Sequence, residues 1–393
     1  MNRSQIDALT RLVAASRSRR ELGRLFLGGA LAAGALTGST PASANERRGH
    51  SRKGHRGHGG HGGHGGCVPT APTGARFTVS GRTIRDPAGN PVILRGVNKM
   101  SVFDDDDPTG GISFPEIRKT GANTVRIVWA IRPSLGRKGP KTDPNVLAQL
   151  IDTAIANRLV PMIELHDATG KWSRLGDLVA YWTQPQMVDI IAARQHALLV
   201  NIGNEVGNDR VKPSKFVAGY THAVQALRCA GIHTPLVIDA PDYGKNLDTL
   251  NATAAALLDA DPDHNLIFSV HLYWGIADGA DANYIREHLE EAVAANYPLI
   301  VGEFSEYGAY NGNDSICAEG GRIDYQTILA ETDSLGIGWY AWEWGPGNDF
   351  EDPLCSVMDM TPDRLFAHLQ PGWAHEVALD SPHSIKNTAV TIL

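Results

Sequence analysis

Eight short apolar runs in this chain end in polar or aromatic residues: Asn98, Arg126, His166, Asn204-Glu205, Asp239, His271 with Tyr273, Glu303 and Trp342. Two of these residues, Glu205 and Glu303, are carboxylic acids of a kind that can work as a pair. Cleavage of a glycosidic bond needs one acid to donate a proton while the other stays ionised. Arg126, Tyr273 and the histidines supply the charge and hydrogen bonds that would hold one glutamate ionised. A buried ion pair would account for a single strand-end glutamate equally well. It does not account for two glutamates with six further polar or aromatic partners, because burying so many ionisable groups costs several kcal/mol each unless they are paired. Competing carboxylates are Glu164, expected one layer deeper on the face of His166, Glu343, expected on the face opposite Trp342, and Asp239 and Asp242 at the rim.

The elements that must carry these residues alternate. Strand-like runs fall at 92–98, 124–129, 160–166, 198–204, 235–239, 266–273, 299–304 and 338–342, and helical stretches separate them. In Pro144–Arg158, Val146, Leu147, Leu150, Ile151 and Ile155 recur at helical spacing; Pro213–Leu227 and Asp281–Asn296 are similarly periodic. Eight such units predict an α/β fold, a (β/α)8 TIM barrel, whose active site lies at the C-terminal ends of the strands. A doubly wound sheet is the alternative, but no G-x-G-x-x-G opens a βα turn. Ahead of the barrel, Phe77-Thr78-Val79, a Ser80-Gly81 turn and the run Ile84 to Val92 around Asp86-Pro87-Ala88-Gly89-Asn90 predict a short N-terminal β-hairpin.

The chain has 393 residues and a net charge of −7, unevenly spread. Residues 1–66 hold 11 basic and 3 acidic residues; the remainder holds 25 and 40. An acidic body argues against nucleic acid as partner. Arg19-Arg20, an apolar stretch from Leu25 to Leu36 and Ala42-Ser43-Ala44 read as an export signal over residues 1–44, of twin-arginine type. The apolar stretch is too short to span a bilayer that needs roughly 20 residues. Residues 45–74 follow as a Gly/His-rich linker with His50, His55, His58, His61 and His64, and 75–393 as the catalytic domain. Metal capture by the histidines is the sharper reading of that tract; no second ligand type punctuates it. The expected product is an extracellular monomer, free of the membrane once mature.

The motifs Leu94-Arg95-Gly96-Val97-Asn98, Ala122-Asn123-Thr124-Val125-Arg126, Glu164-Leu165-His166-Asp167, Asn201-Ile202-Gly203-Asn204-Glu205, Ser269-Val270-His271-Leu272-Tyr273, Val301-Gly302-Glu303-Phe304 and Gly338-Trp339-Tyr340-Ala341-Trp342 resemble family 5 glycoside hydrolases, nearest to their bacterial β-mannanase-like branch. The resemblance runs from about Phe77 to Trp344. It implies a retaining endo-β-1,4-glycanase acting on polysaccharide, β-mannan before cellulose, with no cofactor and no metal. It also implies Glu205 as acid/base, Glu303 as nucleophile and Asn204 on the sugar 2-hydroxyl. Arg126 and Tyr273 would support Glu303, His166 and His271 shape the subsite, and Trp342 stack on the sugar. After Glu205 the chain departs from that branch, with Val206-Gly207-Asn208-Asp209 where an aromatic usually follows. An exo-acting β-glycosidase, a carbohydrate-binding barrel without catalysis and a His-rich metal-binding surface protein are the rival readings.

Trp129, Trp172, Trp274 and Trp344 are candidates for flanking sugar subsites, and Asp104–Asp107 reads as a solvated loop. Cys317 and Cys355 follow the seventh and eighth strands, so their loops share one rim and are expected to be bonded. Cys67 and Cys229 are left either to pair or to leave Cys229 a free thiol.

Overall fold

A computed structural model describes residues 67, 69, 71–132, 142–308, 321–347 and 357–393. The expected export signal, the histidines of the linker and the expected Cys317–Cys355 bond lie outside the described residues. The described chain opens with three antiparallel strands, β1 (Thr78–Ser80), β2 (Thr83–Arg85) and β3 (Pro91–Val92). The expected hairpin is thus extended by a third strand. Asp86 makes this possible: its Oδ1 accepts from the N–H groups of Ala88 and Asn90, and Gly89 takes φ +88°.

Eight parallel strands then close a barrel in chain order: β4 (Arg95–Lys99), β5 (Thr124–Trp129), β6 (Val160–Leu165), β7 (Leu199–Asn201), β8 (Leu236–Asp239), β9 (Leu266–His271), β10 (Leu299–Glu303) and β11 (Gly338–Ala341). The helices that cross between them include α1 (Ser113–Arg118), α2 (Pro144–Ala156), α3 (Leu175–Trp182), α4 (Pro185–Arg194), α5 (Pro213–Cys229), α6 (Leu247–Ala260), α7 (Ala282–Ala294) and α8 (Tyr325–Leu335). Their starts follow from local chemistry. Asp143 caps α2 by accepting from Asn145 N–H, with Pro144 at the first helical position, and Asp281 caps α7 through Tyr284 N–H. The apolar stripe of α2 is buried at Leu147, Leu150, Ile151 and Ala154. Among the described residues no helix is long and apolar enough to cross a membrane.

Side chains alternate across a strand, so every second residue faces the barrel axis. The inward set has two tiers. Below, Val160, Met162, Leu199, Val237, Ile267 and Ile300 form an apolar layer, and Phe77 and Ile84 of the N-terminal sheet pack into it. Above, two residues further along the same strands, come Glu164, Asn201, Asp239 and Ser269, all buried.

The cysteines left open by the sequence are bonded to each other: Cys67 joins Cys229, the last residue of α5, with Cα atoms 5.9 Å apart. The acidic run is not a solvated loop. Asp104 is buried between Lys99 Nζ at 2.8 Å and the Arg364 guanidinium, and Asp107 is buried against the N–H groups of Ile112 and Ser113 at the start of α1. Only Asp105 and Asp106 face solvent.

Candidate active site

The two glutamates reach the barrel mouth by different routes. Alternation from Ile300 points Gly302 inward, where an added Cβ would lie 2.3 Å from Ser269 Oγ. The ladder to β9 slips between Val301 and Glu303, and this bulge turns Glu303 toward the mouth as well. Glu205 does not close the fourth barrel strand as expected. That strand, β7, ends at Asn201, and Glu205 stands four residues beyond it at φ +48°, in the left-handed region. His166, Tyr273 and Trp342 likewise lie just past the ends of β6, β9 and β11.

These residues converge. One carboxylate oxygen each of Glu205 and Glu303 and a ring nitrogen of His271 lie within 4.8 Å of one another. Arg126 Nη1 donates to Glu303 Oε1 at 2.8 Å and Tyr273 OH to Oε2 at 2.9 Å. His271 Nδ1 is 2.9 Å from Glu205 Oε1 and 3.5 Å from Glu303 Oε1. Arg126 also donates to Asn98 Oδ1, Asn201 Oδ1 and Asn204 Oδ1, at 2.8–3.2 Å. Asn204 Nδ2 donates to Thr169 Oγ1 at 3.0 Å, and Glu164 Oε1 meets His166 Nδ1 at 2.9 Å. The rings of His166 and Trp342 stack at 6.0 Å. Every expected site residue therefore belongs to one cluster.

Burial raises the Glu303 carboxyl above its ordinary value, and Glu205 adds to this; His271, Arg126 and His166 act against it. Arg126 and Tyr273 both donate to Glu303, one to each oxygen, whereas among the described residues the Glu205 carboxyl meets the His271 ring alone. Burial, with the charges of Glu303 and Glu205, pushes the Tyr273 hydroxyl well above its usual value, so it stays a donor. Burial opposes a charge on His166, but Glu164 outweighs it and raises the imidazole to about 9. Glu205, His271 and Glu303 have the donor types of a cation site. The guanidinium already bonded to Glu303 disfavours a second cation there.

Sequence reasoning gave Asn201 no role and left Asp239 as one of several rim acids. Both are inward members of the alternation, two residues above Leu199 and Val237, and that period was the signal that would have found them. Of the four candidate tryptophans, Trp129 and Trp344 are fully buried, bonded to Tyr181 and to the Arg364 carbonyl. Trp172 packs on Phe216 and Tyr220. Trp274 shares a cavity with the site residue Tyr273: about 380 Å³, lined also by Asp242, Lys245, Tyr284 and His288.

Glu343 stays apart from the pair, as expected. It is buried, accepts the Met100 N–H at 2.8 Å through Oε2, and among the described residues leaves Oε1 without a partner. Burial pushes its carboxyl up to about 8; Lys99 and the Met100 N–H oppose this, and Asp359 and Asp104 add to it. Between about pH 4.5 and 8 the folded chain therefore holds a proton that the unfolded chain has released, so stability falls as pH rises through that window. Glu343→Gln is expected to flatten this fall, which is at most about 1.4 kcal/mol per pH unit. Denaturant titrations at pH 5, 6.5 and 8 measure it, and an unchanged slope in the variant counts against a protonated Glu343.

A parallel barrel with a carboxylate pair at its C-terminal mouth, one member gripped by arginine and tyrosine, places the chain among the (β/α)8 glycoside hydrolases. It belongs to glycosyl hydrolase family 5, whose cellulase model matches residues 86–348. Mannan endo-1,4-beta-mannosidase of Salipaludibacillus agaradhaerens is 32% identical over 305 residues, 77% of this chain and 91% of the relative. The enzyme of that name from Streptomyces lividans is 31% identical over 75% of this chain and 72% of its own. Among solved structures, beta-mannanase from Streptomyces thermolilacinus with mannohexaose superposes with a TM-score of 0.68 at 31% identity, covering 81% of this chain and 97% of its own.

Proposed function

We propose that the chain is a mannan endo-1,4-β-mannosidase that retains anomeric configuration. The observation that supports the mechanism is the close approach of Glu205 and Glu303: one carboxylate oxygen of each lies within 4.8 Å of the other, and His271 Nδ1 reaches both, at 2.9 and 3.5 Å. Retaining enzymes hold their carboxyl groups about 5–5.5 Å apart; inverting ones leave room for a water between them. Glu303, gripped by Arg126 and Tyr273, attacks the anomeric carbon while Glu205 gives its proton to the departing glycosidic oxygen. Glu205 then takes a proton from the water that attacks the same carbon and frees Glu303. Asn204 is held by Arg126 and Thr169 to meet the sugar 2-hydroxyl, and Trp342 backs the ring. The named relatives and the mannohexaose-bound neighbour support mannan as the polymer. Export belongs to the same reading, since a polymer cannot enter the cell and the leader motif precedes the barrel.

Reducing-sugar release from mannan, glucomannan and carboxymethylcellulose, run side by side, tests the substrate. Mannan is expected to exceed carboxymethylcellulose at least tenfold, and the reverse order would overturn the mannan assignment. The barrel order also orients the cleft. Trp342 and His166 lie on one side of the Glu205–Glu303 line, and the loops after β8 and β9 on the other, so the cavity beside Tyr273 faces the departing sugar. Trp274→Ala is expected to raise KM for mannohexaose about tenfold, a loss of about 1.4 kcal/mol, and to change KM for mannotriose little. Equal effects on both would remove Trp274 from the cleft.

A further inference from the structure

One buried carboxylate takes no part in that chemistry. Asp239, the last residue of β8, is fully buried, and its oxygens face four groups. Oδ1 accepts from Asn201 Nδ2 at 3.1 Å. Oδ2 accepts the backbone N–H of Glu205 at 3.0 Å and lies 3.5 Å from both Arg126 Nη2 and His271 Nε2. The opposite nitrogen of that imidazole, Nδ1, is the one bonded to the Glu205 carboxyl. Asp239 therefore reaches Glu205 twice, through its peptide and through the ring that holds its side chain.

Glu205 needs such a hold. A non-glycine residue in the left-handed region costs about 1–2 kcal/mol, and Glu205 has left the strand ladder that would otherwise fix its peptide. Its carbonyl is taken by Gly170 N–H at 2.9 Å, and its N–H by Asp239. A duller account makes Asp239 a counter-ion for Arg126. That contact is the longest Arg126 makes, and the guanidinium already donates to Glu303 and three asparagines at 2.8–3.2 Å. His271 is different. Its Nε2 is buried and makes no hydrogen bond among the described residues, and the Asp239 carboxylate faces it at 3.5 Å.

We propose that Asp239 is the positioning residue of the acid/base: its carboxylate fixes the Glu205 peptide and the His271 ring, which together aim the Glu205 carboxyl first at the glycosidic oxygen and then at the incoming water. The proposal rests on the reading of Glu205 as acid/base. Burial opposes a charge on His271, while Glu303, Asp239 and Glu205 outweigh it and raise its pKa, in keeping with that arrangement.

The test compares Asp239→Asn, Asp239→Ala and His271→Gln with Glu205→Ala, on mannan and on a dinitrophenyl β-mannobioside, with and without azide. General acid–base catalysis contributes about 10²–10⁴-fold, so Asp239→Asn is expected to lose about 10²-fold on mannan. The dinitrophenolate needs no proton to leave, so its first release should be nearly unchanged. Azide carries no proton to remove. It attacks the anomeric carbon of the glycosyl-enzyme, the bond to Glu303 breaks, and turnover recovers with β-mannobiosyl azide as product. A residue that only holds up the fold would lose both substrates equally and show no azide effect, and that result overturns the proposal, as do wild-type rates in folded Asp239→Asn. His271→Gln keeps Asp239 in place and removes one of its two holds; azide rescue is expected there too, and it decides the matter where the Asp239 variants fail to fold. If Glu205→Ala is rescued and the other variants are not, the proposal alone falls. If Glu205→Ala itself shows no rescue, the acid/base reading falls with it.

Discussion

Glu303→Ala is expected to abolish mannan hydrolysis, with a loss on the order of 10⁵-fold or more, the scale seen when a covalent nucleophile is removed elsewhere. No glycosyl-enzyme can form without the carboxylate, and among the described residues no other group is placed to replace it. Glu164 is turned to His166, Asp239 to the Glu205 peptide, and Glu343 to Met100. The fold should tolerate the change. Burial makes the Glu303 charge costly and Glu205 repels it, so deletion relieves one strain while Arg126 keeps its three asparagine acceptors. Melting within a few degrees of the parent is therefore expected alongside the lost rate. Azide should enter the vacated space and give a product of inverted configuration, the opposite of the outcome for Glu205→Ala. Activity near the parent's in a folded variant would remove Glu303 from the nucleophile role.

Arg126→Met should damage both stability and rate. Arg126 is fully buried and donates to Asn98, Asn201, Asn204 and Glu303. Burial works against its charge, but Glu164, Glu303, Asp239 and Glu205 more than offset this and hold its pKa above the ordinary value. Methionine fills much of the volume but leaves those carboxylates without their central cation. Breaking a buried pair by removing one partner costs about 3–5 kcal/mol. The loss should be smaller at pH 5 than at pH 8, because the deserted carboxylates take up protons more readily in acid. Urea unfolding at both pH values measures it. A variant as stable as its parent at pH 8 would show that the asparagines, and not the charge, organise the ring.

The barrel and its cluster were legible in the sequence for the same reason: both are periodic. Strand and helix spacing fixed the eight units, and strand-end positions supplied Asn98, Arg126, His166, Glu205, His271, Tyr273, Glu303 and Trp342 together. What escaped was set by contacts across long separations. Asp104 looked solvated because a run of four aspartates gives no sign of burial; Lys99 five residues before it and Arg364, 260 residues away, close over it only in the fold. The bulge that turns Glu303 inward and the early end of β7 depend on how neighbouring strands pair, which no single run encodes. The tryptophans divided by burial, and burial is decided by the helices and loops that cover each one.

The apolar tier beneath the charged ring also decides where protons can travel. Phe77 and Ile84 close the barrel from below against Val160, Met162, Leu199 and Ile300, and hydrocarbon offers a proton no place to rest. Exchange with bulk water therefore runs through the mouth, the opening that substrate covers. On the proposed mechanism, the proton that Glu205 hands to the departing sugar is replaced from that same side, by the water that enters there. The apolar floor thus places both proton transfers of the proposed cycle on the side of the barrel that the sugar chain occupies.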